Sequence, residues 1–243
     1  MKHVLANERN LTCWEDLSNP WQWCIEEAWQ AYCMGSLPIG AVITDEAGRL
    51  LARGRNRIYE YKADGQILCG HRLAHAEMNA LISIEWKQMN PRKCILYTTT
   101  EPCPLCVGAV RLTRIGTVHY ASRDQGAGSI DLFDANDFMR RAGTRIGAPA
   151  STTLENILIA MLIEFTLRKG DDNSSLLYET VAAVHPIGAT LGKQLFVEGQ
   201  LYDWKNKNCS APFVFNQIVL LLEHARTTRE TYNSGSTSLT ISR

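Results

Sequence analysis

Two short motifs carry the side chains of this chain that are best suited to metal chemistry. His75 and Glu77 form a His-x-Glu motif, and Cys103 and Cys106 form a Cys-x-x-Cys motif that begins 28 residues after the histidine. One imidazole and two thiolates can hold a zinc ion and leave its fourth tetrahedral position to water. The glutamate is not needed as a ligand, so it is free to move protons. The two motifs therefore predict a catalytic zinc centre.

The chemistry that such a centre supports is hydrolysis. Zinc lowers the pKa of a bound water molecule to about 7. Glu77 would take the proton of that water, pass it to a ring nitrogen of the substrate and help the amino group leave as ammonia. The pattern H-x-E…P-C-x-x-C is the signature of zinc deaminases. We predict one Zn²⁺ per chain, with His75, Cys103 and Cys106 as its ligands and Glu77 as the catalytic residue.

Two other interpretations of the same residues stay open. A Cys-x-x-Cys pair also occurs in structural zinc sites, which usually have four protein ligands. No obvious second Cys-x-x-Cys exists, although Cys69 and His71 form a nearby Cys-Gly-His alternative. A thioredoxin-like redox pair would need a strand–helix context that the sequence does not match. Without a secretory leader, the eight cysteines are expected to be thiols and metal ligands.

The elements around the motifs can be predicted from hydrophobic periodicity and from proline and glycine positions. Helices begin at His75 and at Pro104, and a helix start favours the thiolate form of nearby cysteines. The predicted elements are a helix at 21–34, strands at 38–44 and 49–56, the helix from 75, a strand at 93–99, a helix at 104–112, strands at 115–120 and 144–148, and a helix at 152–168. Alternating strands and helices indicate an α/β fold with a sheet covered on both faces.

Residues 20–169 resemble the cytidine deaminase superfamily, and most closely its tRNA adenosine deaminase and guanine deaminase branch. The matching segments are Leu37–Ile43, Gly54–Arg57, His75–Leu81, Thr100–Ala109, Arg114–Gly116 with Asp124, and the glycine-rich Gly126–Ser129. The resemblance implies a three-layer α/β/α sandwich with a five-stranded mixed sheet and both zinc helices on one face. It also implies a homodimer.

Asn56 is the best candidate for a substrate contact. It ends a predicted strand and lies on the side opposite an arginine stripe formed by Arg49, Arg53, Arg55 and Arg57. An amide offers both a donor and an acceptor to a heterocycle edge, and the resemblance assigns the matching asparagine to the base. The alternative is an ordinary turn asparagine. The stripe itself is expected to be a solvated or interface face.

The resemblance also implies substrate contacts from two backbone groups. These are the N–H of Ala76 and the carbonyl of Pro102. Two regions depart from the family. Residues 58–72 form a long connection that is either a lid or binding loop or a solvated excursion. The chain beyond residue 169 adds predicted helices at 174–184, 187–199 and 213–227.

These features predict three parts of the chain. Residues 1–169 form the deaminase domain, residues 170–230 form a helical C-terminal extension that packs on it, and residues 231–243 form a disordered tail. No apolar run is long enough for a membrane span, and the N-terminus lacks a secretory signal, so a cytoplasmic location is expected.

Charge guides the choice of substrate. The chain has 25 basic and 25 acidic residues, and residues 1–169 carry 19 and 18 of them. Nucleic-acid binding usually requires a basic surface. The first hypothesis is therefore deamination of a free nucleobase, nucleoside or related amino-heterocycle, with purines favoured by the resemblance. The alternative is adenosine-to-inosine conversion in tRNA, and a third hypothesis is a catalytically silent scaffold subunit.

Overall fold

The computed structural model describes residues 11–62, 65, 67–147, 149–172 and 174–235. Five strands and nine helices organise these residues, together with short 3-10 turns. The strands are β1 (Gly40–Thr44), β2 (Leu50–Arg55), β3 (Ile95–Thr100), β4 (Thr117–Ser122) and β5 (Arg145–Ile146). The helices are α1 (Asn19–Cys33), α2 (Ala76–Ile82), α3 (Pro104–Thr113), α4 (Asp137–Arg140), α5 (Thr152–Lys169), α6 (Ser174–Val184), α7 (Pro186–Glu198), α8 (Gln200–Asn206) and α9 (Ala211–Gly235).

The strands form one mixed sheet in the order β2-β1-β3-β4-β5. β1 pairs antiparallel with both β2 and β3, whereas β3–β4 and β4–β5 are parallel. Parallel pairs need crossover connections, and α3 provides the crossover between β3 and β4. The five-stranded mixed sheet predicted from the resemblance is confirmed.

Helices cover both faces of the sheet because successive strand residues point to opposite sides. On β1, Ala41 and Ile43 belong to the hydrophobic cluster shared with α2 and α3. Val42, which lies between them, belongs to the cluster shared with α1 and α5. The fold is therefore the predicted three-layer α/β/α sandwich, and α2 and α3 lie together on one face.

Local sequence explains where the long helices begin and end. The Ser151 hydroxyl accepts a hydrogen bond from the Leu154 N–H and caps α5, and Gly170 ends the helix with a left-handed φ of 65°. In α1, apolar residues recur every three to four positions, and this face is buried: Trp21, Cys24, Ile25, Ala28, Trp29 and Tyr32.

The helices beyond residue 170 pack on the outer side of α1 and α5. Residues of α7, α8 and α9 share one continuous hydrophobic cluster with α1 and α5, including Leu195, Leu201 and Phe215. As a result, α5 is buried over nearly its whole circumference. α8 was not predicted, and α9 begins two residues before the expected start at 213. The division into domains stays a prediction.

Two expectations concern the ends and surface of the chain. The predicted disordered tail at 231–243 starts within α9, which continues through Gly235, and residues 236–243 lie outside the described residues. No helix in the described part of the chain combines the length and the apolar character needed to cross a membrane.

The arginine stripe on β2 differs from the expected solvated or interface face. The side chain of Arg49 is 81% exposed and does point to solvent. Arg55 is buried and paired with Glu60 at 3.1 Å, and Arg57 lies 3.1 Å from the same carboxylate. Residues 58–62 fold back over the end of β2 and bring Glu60 into this position. The prediction was therefore wrong for Arg55, because its charge is neutralised inside the protein.

Candidate active site

The His-x-Glu motif lies at the start of α2, where the helix rests directly on β2. His75 is the N-cap residue, and Glu77 is in the first turn. Gly54 of β2 makes this approach possible, because a Cβ atom there would lie 2.3 Å from both the Ala76 carbonyl oxygen and the Ala80 nitrogen. A glycine is needed where a strand and a helix come this close.

The Cys-x-x-Cys motif lies at the start of α3. Cys103 is the N-cap residue, and Cys106 follows in the first turn after Pro104 at the first helical position. Proline suits this position because its fixed φ is helical and its missing N–H would have no partner there. Cys106 is fully buried, whereas Cys103 is half-buried. All eight cysteines are free, as expected for thiols rather than disulfides.

The three predicted ligands come together in space. His75 Nδ1 lies 3.5 Å from each sulfur, and the two sulfurs are 3.7 Å apart. Zinc bonded at tetrahedral angles would place two thiolates about 3.8 Å apart and an imidazole nitrogen about 3.5 Å from each. Among the described residues, His75, Cys103 and Cys106 form the group whose donor atoms lie close enough together to hold a metal ion. The donors therefore fit zinc in type, number and spacing.

The electrostatics of the site favour the thiolate form of one of the three predicted ligands. A hydrogen bond from Cys106 lowers the pKa of Cys103 to about 4, and His75 contributes in the same direction. The same bond, together with burial, raises the pKa of Cys106. Contact with Cys103 raises the pKa of His75. Cys103 is therefore the donor that ionises most readily, and binding a divalent cation would release the protons that the other two donors hold.

Glu77 lies beside the donors without being one of them. Its side chain is 4% exposed, and burial is the main cause that raises its pKa. The Thr98 hydroxyl donates a 2.9 Å hydrogen bond to Oε1, and Oε2 lies 3.4 Å from Cys106 Sγ. A carboxyl group whose pKa is raised toward neutrality is suited to take up and return a proton.

A cavity of about 200 Å³ opens beside these groups. It is lined by Leu37, Ile39, Asn56, Ile58, His75, Glu77, Thr100, Glu101, Cys103, Asp124 and Ala127. Asn56 is therefore in the cavity wall together with the predicted ligands His75 and Cys103. Ala76 and Pro102 do not line it, and the Pro102 carbonyl accepts a 3.0 Å hydrogen bond from the Ser129 N–H. Their contacts with substrate stay predictions.

Sequence reasoning missed Glu101, which shapes one wall of this cavity. Its two carboxylate oxygens accept hydrogen bonds from the Asp124 and Ile130 N–H groups, at 3.4 and 3.2 Å. Asp124 Oδ1 in turn accepts from the Gly126 and Ala127 N–H groups. The glutamate therefore fastens the glycine-rich loop over the start of α3. Its place directly before the Pro-Cys motif was the signal that could have revealed it.

The loop at 58–72 is fastened to the rest of the site by Asn79 of α2. Asn79 Nδ2 donates to the carbonyls of Arg55 and Leu68, and its Oδ1 accepts from the Leu68 N–H at 2.8 Å. Tyr59 stacks on Phe165 of α5. These contacts join the loop to α2 and α5, and Ile58 at its start lines the cavity.

Known proteins resemble this chain most in the region that carries the site. The family model for the cytidine and deoxycytidylate deaminase zinc-binding region matches residues 15–122. tRNA-specific adenosine deaminase 2 of Xenopus laevis is 32% identical over 142 residues, which cover 54% of this chain and 75% of that protein.

Two further matches have different extents. The tRNA(Ile)-lysidine synthase of Deinococcus radiodurans is 36% identical over 105 residues, which cover 42% of this chain and only 17% of the synthase. Among solved structures, guanine deaminase from Bacillus subtilis aligns at 26% identity with a TM-score of 0.39, covering 49% of this chain and 76% of that chain. The family model ends before β5 and does not extend to the helices beyond residue 170.

The sheet, the donor triad and its neighbouring carboxylate define a zinc-type deaminase domain. The chain belongs to the cytidine deaminase superfamily, as the resemblance of its motifs implied.

Proposed function

We propose that this chain is a hydrolytic deaminase of a free nucleobase, nucleoside or related amino-heterocycle. The exocyclic amino group would be replaced by a carbonyl group, with water consumed and ammonia released. A purine-type substrate is favoured because the frog relative is named for adenosine. The observation that carries the proposal is the place of Glu77, which lies beside three zinc-compatible donors and lines the same cavity.

The proposal gives each group a part in the reaction. When held by the three donors, zinc would supply the Lewis acidity that prepares water for attack on the carbon bearing the amino group. Thr98 holds Oε1 of Glu77, so Oε2 is the oxygen left to accept the proton of that water. Glu77 then gives the proton to a ring nitrogen and assists departure of ammonia. One carboxyl group acts as base and then as acid.

The charge of the cavity wall favours a free substrate over a nucleic acid, whereas the cavity volume fits one heterocyclic base of either. Its volume of about 200 Å³ is below the range of about 300–1,000 Å³ that is usual for drug-sized ligands, so it suits a single heterocycle. None of the described residues that line it is a lysine or arginine, whereas Glu101 and Asp124 are acidic. Affinity for nucleic acid comes mainly from cationic side chains that neutralise phosphates, and Arg55 and Arg57 are already paired with Glu60.

The second candidate is conversion of adenosine to inosine in tRNA. It is favoured by the names of the relatives, which include tRNA-specific adenosine deaminases. In that case the target base would be splayed out of the loop into the cavity. A catalytically silent scaffold is the third candidate, and the intact donor triad and Glu77 argue against it.

The cytoplasmic location and the homodimer stay predictions.

A panel assay tests the proposal. Zinc-loaded protein is incubated with free purine and pyrimidine bases and nucleosides, and separately with transcribed tRNA, while ammonia and inosine are measured. We expect ammonia from at least one free purine and none from the Glu77→Gln variant, which should keep its zinc. Glu85→Gln alters an exposed glutamate just beyond α2 and should leave turnover unchanged. Inosine in tRNA without turnover of any free compound would favour the second candidate, and zinc without turnover of either would favour the scaffold.

A further inference from the structure

A buried chain of hydrogen bonds fixes the side-chain amide of Asn56. The Tyr59 N–H donates to Ser36 Oγ at 3.4 Å, and the Ser36 hydroxyl donates to Asn56 Oδ1 at 2.7 Å. The Ile58 N–H donates to the same Oδ1 at 3.2 Å. Ser36 is 0% exposed and Asn56 is 2% exposed, so water does not compete for these groups.

The two backbone N–H groups, of Ile58 and Tyr59, fix the donor and the acceptor in each of these three hydrogen bonds. A backbone N–H can only donate, so the atom of Asn56 that faces Ile58 must be the oxygen and not the nitrogen. That oxygen can only accept, so the hydroxyl of Ser36 must give it its hydrogen. The lone pair of Ser36 then receives the N–H of Tyr59. Nitrogen and oxygen of an amide side chain are told apart by their hydrogen-bond partners. Here the partners of Asn56 fix the position of its oxygen.

The amide nitrogen is therefore the atom that remains for a ligand. Oδ1 of Asn56 already accepts two hydrogen bonds, which is its full capacity. Asn56 lines the cavity beside His75 and Glu77. Within the described ranges of the chain, Nδ2 has no hydrogen-bond partner.

We propose that Asn56 acts on the substrate only as a hydrogen-bond donor, and that Ser36 is the positioning residue that sets this polarity. The inference rests on the proposed function. A purine substrate must then present a ring-nitrogen acceptor, N3 or N7, to this wall of the cavity. A heterocycle that presents an N–H or amino group there is rejected, because two donors would face each other in a buried site. From the sequence we expected the amide of Asn56 to offer both a donor and an acceptor; the inference leaves only the donor for the substrate.

Analogues that lack one acceptor provide the test. The purine that the panel identifies is placed in competition with its 3-deaza and 7-deaza analogues, in which C–H replaces a ring nitrogen. A buried hydrogen bond left unmade costs about 1–3 kcal/mol. We therefore expect the wild-type enzyme to prefer the parent purine to one of the two analogues by roughly 10- to 100-fold in kcat/KM. Because both substrates compete for the same enzyme, the ratio does not depend on how much of a variant folds.

Variants then assign the preference to the two residues. Asn56→Ala should abolish the discrimination, and Ser36→Ala should reduce it at least threefold, because the amide loses one of the two bonds that orient it. Ser174→Ala is the matched control: it removes another buried serine hydroxyl that is hydrogen-bonded, at the start of α6 and away from the cavity. Its discrimination should equal that of the wild type.

Two results would overturn the inference, and a third would contradict the proposed function instead. Equal use of the parent and both analogues by the wild type would overturn the proposal, as would unchanged discrimination in Ser36→Ala. Absence of turnover with every compound would instead contradict the proposed function. In that case, calorimetric binding of adenosine and its two deaza analogues to zinc-loaded protein decides the inference. A 10-fold or greater preference that Asn56→Ala removes would support it, and equal affinities would overturn it.

Discussion

The Thr98 hydroxyl donates a 2.9 Å hydrogen bond to Glu77 Oε1 across the interface between β3 and α2. Thr98 is fully buried in a central strand of the sheet. The proposed proton carrier is therefore anchored to the most enclosed part of the fold, although Glu77 itself belongs to a helix of seven residues. One carboxylate oxygen is held, and the other faces the zinc donors.

Replacing Thr98 by valine should slow the reaction and leave the metal in place. The valine keeps the shape of the side chain but removes the donor, so Glu77 can rotate away from its productive orientation. One lost hydrogen bond to a charged group is worth about 1.5–3 kcal/mol, which predicts a fall in kcat of roughly 10- to 100-fold. Steady-state kinetics and zinc analysis check this. Thr98→Ser keeps the hydroxyl and should restore most of kcat; a valine variant with wild-type kcat would contradict the role.

Cys103→Ala should lose most of the bound zinc. Only two protein donors would remain, which is too few for a stable zinc site in this geometry. Cys69→Ala is the matched control, because Cys69 lies in the loop at 58–72 outside the donor triad. Zinc content per chain, measured by atomic emission after dialysis, distinguishes the two. Loss of zinc from Cys69→Ala with retention in Cys103→Ala would favour the Cys-Gly-His alternative.

The parts of the site that sequence could predict are those set by local rules. His75 and Cys103 each lie at a helix N-terminus, which the flanking residues signal through proline placement and hydrophobic periodicity. The helix predicted at 21–34 followed from apolar residues at 3–4 residue spacing, and these residues form the buried face of α1. The mixed topology of the sheet came from resemblance, since periodicity does not specify strand order.

The parts that sequence could not predict depend on contacts between distant segments. Ser36 and Asn56 are 20 residues apart, and their hydrogen bond appears only when the connection after α1 meets the end of β2. Arg55 occupies an outward position in the alternation of β2, yet a loop that folds back buries it against Glu60. Nothing in the strand pattern itself encodes that loop.

Glu164 is a buried charge outside the active site that affects the pH dependence of stability. The residue is 0% exposed in α5, and burial is the main cause that raises its pKa above 4.5. Arg168 Nε donates to Oε1 at 2.7 Å, which offsets part of the cost of the charge. The neighbouring Tyr32 hydroxyl also acts to lower this pKa, but burial outweighs both groups.

Glu164→Gln should gain stability relative to the wild type as pH rises. Between pH 4.5 and the raised pKa, the folded wild type keeps a proton that the unfolded chain has lost, so its free energy of unfolding falls as pH increases. Glutamine has no charge to bury and lacks this loss. Urea unfolding at pH 4.5 and 7.5 should show the variant gaining on the wild type, whereas Glu179→Gln, at an exposed position on α6, should show no such trend. An equal difference at both pH values would contradict the prediction.

Gly192→Ala should weaken the attachment of the C-terminal helices. A Cβ atom at Gly192 of α7 would lie 2.6 Å from the Ala160 carbonyl oxygen of α5, and backbone cannot yield as a flexible side chain would. We expect a loss of roughly 1–3 kcal/mol in the free energy of unfolding, as for other overpacked interiors. Gly108→Ala is the control in α3, where the added Cβ meets nothing within 4 Å and should stabilise the helix by about 0.5–1 kcal/mol. A Gly192→Ala midpoint equal to or above that of the wild type would contradict the close contact between α7 and α5.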